Sequence, residues 1–117
     1  MITRAERAKF QRWIDERAGL NDRLRETWRT LTRYVRGLPL PQAAPNCSPA
    51  DGDPGTSYIF VWERDNWHID LEIHPDHYEW LWVDLASETP GGAEGPELIV
   101  HDAIKFLRTK IIAPSPK

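Results

Sequence analysis

Residues 67–85, WHIDLEIHPDHYEWLWVDL, constrain the fold more than any other stretch of this chain. Trp67, Ile69, Leu71 and Ile73 alternate with His68, Asp70, Glu72 and His74. A period of two sends the first set to one face of a strand and the second set to the other. Pro75–Asp76–His77 stops the pattern as a turn, because proline cannot donate to a ladder. YEWLWVDL then resumes it, and upstream SYIFVWE ends at the polar turn Arg64–Asp65–Asn66. Residues 57–85 therefore read as a three-stranded antiparallel meander.

Helical periodicity flanks this sheet. Thr3 and Glu6 have capping-box spacing, and apolar residues recur at Phe10, Trp13, Ile14, Leu20, Leu24, Trp28, Leu31 and Val35. Gly19 interrupts, with Asn21 and Asp22 as caps, so residues 3–36 form either one helix or a pair, and a break at 19–21 is favoured. Residues 37–56 are a Pro-rich extended connector, unusually long for a compact domain. ASETPGGAEGP reads as a loop. A C-terminal helix over 96–113 follows, with Val100, Ala103, Ile104, Leu107 and Ile111 as its apolar stripe. The fold class is α+β: an N-terminal helix or helix pair, the meander, and a C-terminal helix packed on one sheet face.

A chain of 117 residues is expected to be one domain with one modest core. No apolar run reaches the ~18–20 residues that span a bilayer. The charged start MITRAERAKFQRW lacks the apolar core of a signal peptide, so a soluble, cytoplasmic protein is expected. Lone Cys47 rules out an internal disulfide and reads as incidental. The net charge of −3 conceals a polarity: residues 1–38 carry ten basic and five acidic side chains, residues 39–117 five and thirteen. Such segments face each other or face different partners.

Three-residue turns would pair Glu63 with Trp67 and His74 with Tyr78. Ile59, Val61, Trp67, Ile69, Leu71, Ile73, Leu81, Val83 and Leu85 then share an aliphatic core face, covered by the C-terminal helix. The other face carries three rows: Tyr58, Glu72 and Trp80; Phe60, Asp70 and Trp82; Trp62, His68 and Asp84. Each central carboxylate lies between aromatics. The basic helical stripe Arg25, Arg29, Arg33 and Arg36 could cover this face, in its own chain or in a homodimer.

Four chemistries fit these residue types. His68, Asp70, Glu72 and His74 are all metal ligands by type, but along one strand they span roughly 20 Å, and one ion could take only a neighbouring pair. No metal or other cofactor is expected. Asp70 and Glu72 sit at a carboxylate separation used in glycoside hydrolysis, and His68–Asp84 could be a base and its orienter. No deep cleft or nucleophile accompanies them, so an enzyme is not expected, and a small metal- or carboxylate-dependent hydrolase stays a minor alternative. Arg25, Arg29 and Arg33 could touch phosphates, yet the chain is acidic and has no nucleic-acid-reading motif. The remaining chemistry is a binding face for a basic protein partner. Its contacts would be Tyr58, Phe60, Trp62, His68, Asp70, Glu72, Trp80 and Trp82, with aromatic area and charge-assisted hydrogen bonds acting together, and Arg25, Arg29 and Arg33 complete the expected binding residues. An acidic mimic of nucleic acid is the alternative within that class.

LPLPQAAP, then YIFVWE, then IDLEIHPDHYEWL resembles a pattern of small uncharacterised bacterial proteins from mobile-element, toxin–antitoxin and defence neighbourhoods. The resemblance covers residues 38–85. It implies an accessory, antitoxin-like or inhibitor role and carries over no catalytic residue.

Overall fold

The computed structural model describes residues 3–17, 19, 21–45, 57–98 and 101–112. Two helices come first, α1 (Arg4–Arg17) and α2 (Arg23–Tyr34). Five strands follow, β1 (Gln42–Pro45), β2 (Tyr58–Arg64), β3 (Trp67–Ile73), β4 (Tyr78–Asp84) and β5 (Thr89–Gly95). The last described element is α3 (His101–Phe106), which runs on as a π-helical stretch over Leu107–Ile112. The α+β class holds, but the sheet has five antiparallel strands in the order β1-β2-β3-β4-β5, not three. Both additional strands are edges, where Pro45 and Pro90 need no inner ladder partner. The expected 37–56 connector therefore contains a strand, and its residues 46–56, with Cys47, lie outside the described residues, as do Leu20 and Val100. The C-terminal helix is shorter than 96–113, because 96–98 are not helical.

Both hairpin registers differ by one residue from the expected ones. Arg64 pairs with Trp67, leaving the two-residue turn Asp65–Asn66. Two-residue loops match strand twist best, and Asp65 takes the left-handed φ of 54° that such a turn needs. Ile73 pairs with Tyr78, so the second loop has four residues, closed by the His74 N–H donating to the His77 carbonyl at 3.0 Å. A one-residue slip exchanges every side chain between faces. Tyr58, Phe60 and Trp62 thus join Ile69, Leu71, Ile73, Tyr78, Trp80 and Trp82 on a single buried face. Ile59, Val61, Leu81 and Val83 move to the opposite face, and Leu81 and Leu85 are exposed.

All the helices lie on the aromatic face. The Thr3 hydroxyl accepts the Glu6 N–H at 3.0 Å and donates to the Glu6 carboxylate, so the capping box starts α1 as its spacing predicts. The break comes between α1 and α2, where buried Asn21 donates to the Ile73 carbonyl at 3.0 Å and accepts the Arg23 N–H at 3.1 Å. One side chain caps a helix and ties it to the sheet. Phe10 of α1 and Trp28 of α2 meet Phe60, and Trp13 meets Tyr58 edge-on. Phe106 packs on Trp67 and Trp82, and Ala103, Ile104, Leu107 and Ile111 are buried. The arginine helix α2 does cover the aromatic face, but through Leu24, Trp28 and Leu31, beside Ile14 of α1, with Arg25, Arg29, Arg33 and the following Arg36 exposed. The cover is apolar because the carboxylates of β3 are on the other side of the sheet.

Candidate functional site

The outer sheet face carries no helix among the described residues. Its rows follow from the pairing: Ala44, Ile59, Glu72, Glu79 and Glu94; Gln42, Val61, Asp70, Leu81 and Gly92; Glu63, His68, Val83 and Pro90. Tyr58, Phe60, Trp62, Trp80 and Trp82 are core residues and take no part in it. His68, Asp70 and Glu72 remain together on it, joined by Glu63 and Glu79. Arg25, Arg29 and Arg33 lie on the far side of the molecule. Arg25 pairs with Asp15 of α1 at 2.9 Å, which holds that carboxyl below its ordinary range, and Arg29 lines the α1–α2 groove with Arg7 and Gln11.

Two imidazole–carboxylate clusters organise the face. In the first, His68 Nε2 is 3.1 Å from Asp70 Oδ2 and Nδ1 is 3.5 Å from Glu63 Oε2. Partial burial lowers the His68 pKa, but the Asp70 and Glu63 carboxylates outweigh it and leave the value raised. A group with a raised folded pKa adds stability below its unfolded value, and the contribution disappears as pH climbs through the folded value. The stability advantage of wild type over His68→Gln is therefore expected to be largest below pH ~6.5 and to shrink toward pH ~8.5. Paired urea melts across that range measure it, and an advantage that grows with pH would refute the assignment. The expected His68–Asp84 pair does not form: His68 faces Val83, and Asp84 accepts the Ala86 N–H at 3.1 Å.

The second cluster sits at the β3–β4 hairpin. His74 Nε2 is 2.9 Å from Glu79 Oε2 and 3.2 Å from Glu72 Oε1, and its Nδ1 is 2.9 Å from Ser57 Oγ. His77 Nδ1 is 2.6 Å from Asp76 Oδ1, and its Nε2 is 3.6 Å from Glu79 Oε2. The Asp76 contact raises the His77 pKa against partial burial, with Glu79 helping, and His77 lowers that of Asp76. Ser57, His74 and Glu79 have the connectivity of a nucleophile triad, but Ser57 is only 1% exposed. A substrate carbonyl cannot reach that hydroxyl.

His77, Glu79, Glu63 and Ser57 were outside the residues singled out by sequence. The available signal was the spacing His74-Pro-Asp-His77-Tyr-Glu79, two imidazoles bracketing a turn with a carboxylate two residues on. Comparison with protein-family models, with curated proteins and with solved structures finds no match. No helix among the described residues is long and apolar enough to cross a membrane.

Proposed function

We propose that this chain is a non-enzymatic protein-binding module that docks a basic protein partner on its outer sheet face. One observation carries the reading. The outward positions of the five strands hold Glu63, Asp70, Glu72, Glu79 and Glu94 among Ile59, Val61, Leu81 and Val83, with no Lys or Arg. Glu72, Glu79 and Glu94 are direct cross-strand neighbours, and like charges so placed are destabilising. A partner's Arg or Lys groups relieve that repulsion, and the aliphatic side chains supply area to bury. The same correction that takes the aromatics away leaves acids without intervening rings, which favours, as the second reading, mimicry of nucleic acid toward a basic groove. The likeness of residues 38–85 to small bacterial mobile-element and defence proteins supports an accessory, antitoxin-like or inhibitor role in the cytoplasm.

A photo-crosslinking amino acid at Leu81 tests this in the native host. It is expected to trap a basic protein, whereas the same probe at Arg33 does not. The combined variant Asp70→Lys, Glu79→Lys should weaken the trapped complex by about 2 kcal/mol or more, roughly thirtyfold. Adducts from Arg33 alone would refute the reading, and an adduct of twice the chain mass would identify a second copy's basic helices as the occupant.

A further inference from the structure

We propose that His74, His77 and Glu79 form a site for a divalent transition-metal ion of the zinc type. The site stands on the geometry of these side chains; it shares Glu79 with the face proposed to dock a partner but does not depend on that partner. One ligand atom from each of the three residues lies within 4.8 Å of the others. Zinc bonds of ~2.0–2.2 Å in tetrahedral array separate ligand atoms by roughly 3.3–3.6 Å. The contacts of Glu79 Oε2 with His74 Nε2 and His77 Nε2, 2.9 and 3.6 Å, bracket that spacing.

The second shell points the same way. A metal-ligating imidazole has one nitrogen on the ion and gives its other N–H to an oxygen, which fixes tautomer and ring orientation. Here both rings have Nδ1 on an oxygen, Ser57 Oγ for His74 and Asp76 Oδ1 for His77. Both therefore have Nε2 left for the ion. The row Glu72–Glu79–Glu94 adds negative charge beside these nitrogens. A mixed imidazole and carboxylate set suits zinc and its first-row neighbours and does not suit magnesium.

Coordination requires one adjustment. The two rings are stacked, 4.3 Å between centroids and 3° from parallel, and a ligated imidazole points its lone pair at the ion within its own plane. His77, on the loop with its side chain 36% exposed, has the room to turn, whereas His74 is held at 19%. All three side chains are partly exposed, so water or an outside ligand can complete the coordination.

Calorimetric titration of the chelator-treated full chain with zinc chloride is the test, with magnesium chloride as the hard-cation control. One saturable zinc site with a dissociation constant of about 10 μM or below is expected, and none for magnesium. His77→Gln and Glu79→Gln should each weaken it at least about tenfold, and Asp76→Asn about tenfold through the second shell. His101→Gln, on α3, should leave it unchanged. Imidazole NMR of the wild type gives a readout that needs no variant: zinc should move the His74 and His77 resonances and leave those of His101 in place. Absence of saturable binding, equal affinity in His77→Gln, or equal shifts at His101 would overturn the site.

Discussion

Phe60→Ala is expected to remove about 3–5 kcal/mol of folding stability, the range for truncating a large buried aromatic. A domain of this size has only ~5–15 kcal/mol in all, so the variant should melt at far lower urea. The reason lies in its neighbours. Phe60 is fully buried, with ring centroids of Phe10, Trp28 and Trp62 at 5.6, 6.3 and 6.0 Å. It is the point at which α1, α2 and the sheet meet. Val61→Ala, one residue on and facing outward, should cost about 1 kcal/mol or less. Equilibrium urea melts of the two variants decide the register of β2. A one-residue slip would reverse their order, because an exposed Phe60 would change stability by only about 0.5 kcal/mol.

That register is where sequence reasoning met its limit. β3 alternates apolar and polar residues, so its two faces are legible and correctly sorted. β2 reads Tyr58, Ile59, Phe60, Val61, Trp62, apolar at every position, and β4 carries Trp80, Leu81, Trp82 and Val83 in succession. Periodicity cannot choose a face for such strands. The choice passed to loop length, and both loops differ by one residue from the three assumed. A second signal was present: aromatic side chains bury ~150–250 Å² each, more than Ile or Val, so the even-numbered aromatics of β2 and β4 belong in the core. The helices were easier, since the Thr3–Glu6 box and the stripe from Phe10 to Leu31 are local. The hairpin cluster was hidden for the same reason as the core. With the slipped register, Glu72 faces Tyr58 and Trp80, and the Glu79 neighbour that makes a ligand set possible is on the opposite face.

The edge strand β5 was missed because TPGGAEG reads as a loop, and Gly91→Ala shows why it is a strand. A Cβ at Gly91 would collide with Trp82 Nε1 and lie 2.8 Å from Cε2, so the indole occupies the place a side chain would take. Trp82 cannot retreat freely, since Phe106 stacks on it at 4.9 Å and 29°. Gly91→Ala must push the indole into α3 or lift β5 from the sheet, and a loss of about 1–3 kcal/mol is expected. Gly95→Ala, on the same strand with nothing within 4 Å of its Cβ, should be neutral or gain up to about 1 kcal/mol. The decisive measurement is a double-mutant cycle. Trp82→Ala alone should cost about 3–5 kcal/mol, and in that background Gly91→Ala should cost almost nothing, because the methyl then enters space the indole has left. The resulting coupling of about 1–3 kcal/mol is the signature of direct contact. Additive losses would mean that Gly91 serves the backbone and not Trp82. The two readings differ in what holds the fifth strand: its ladder alone, or a tryptophan seated against a glycine that keeps the edge closed over the core.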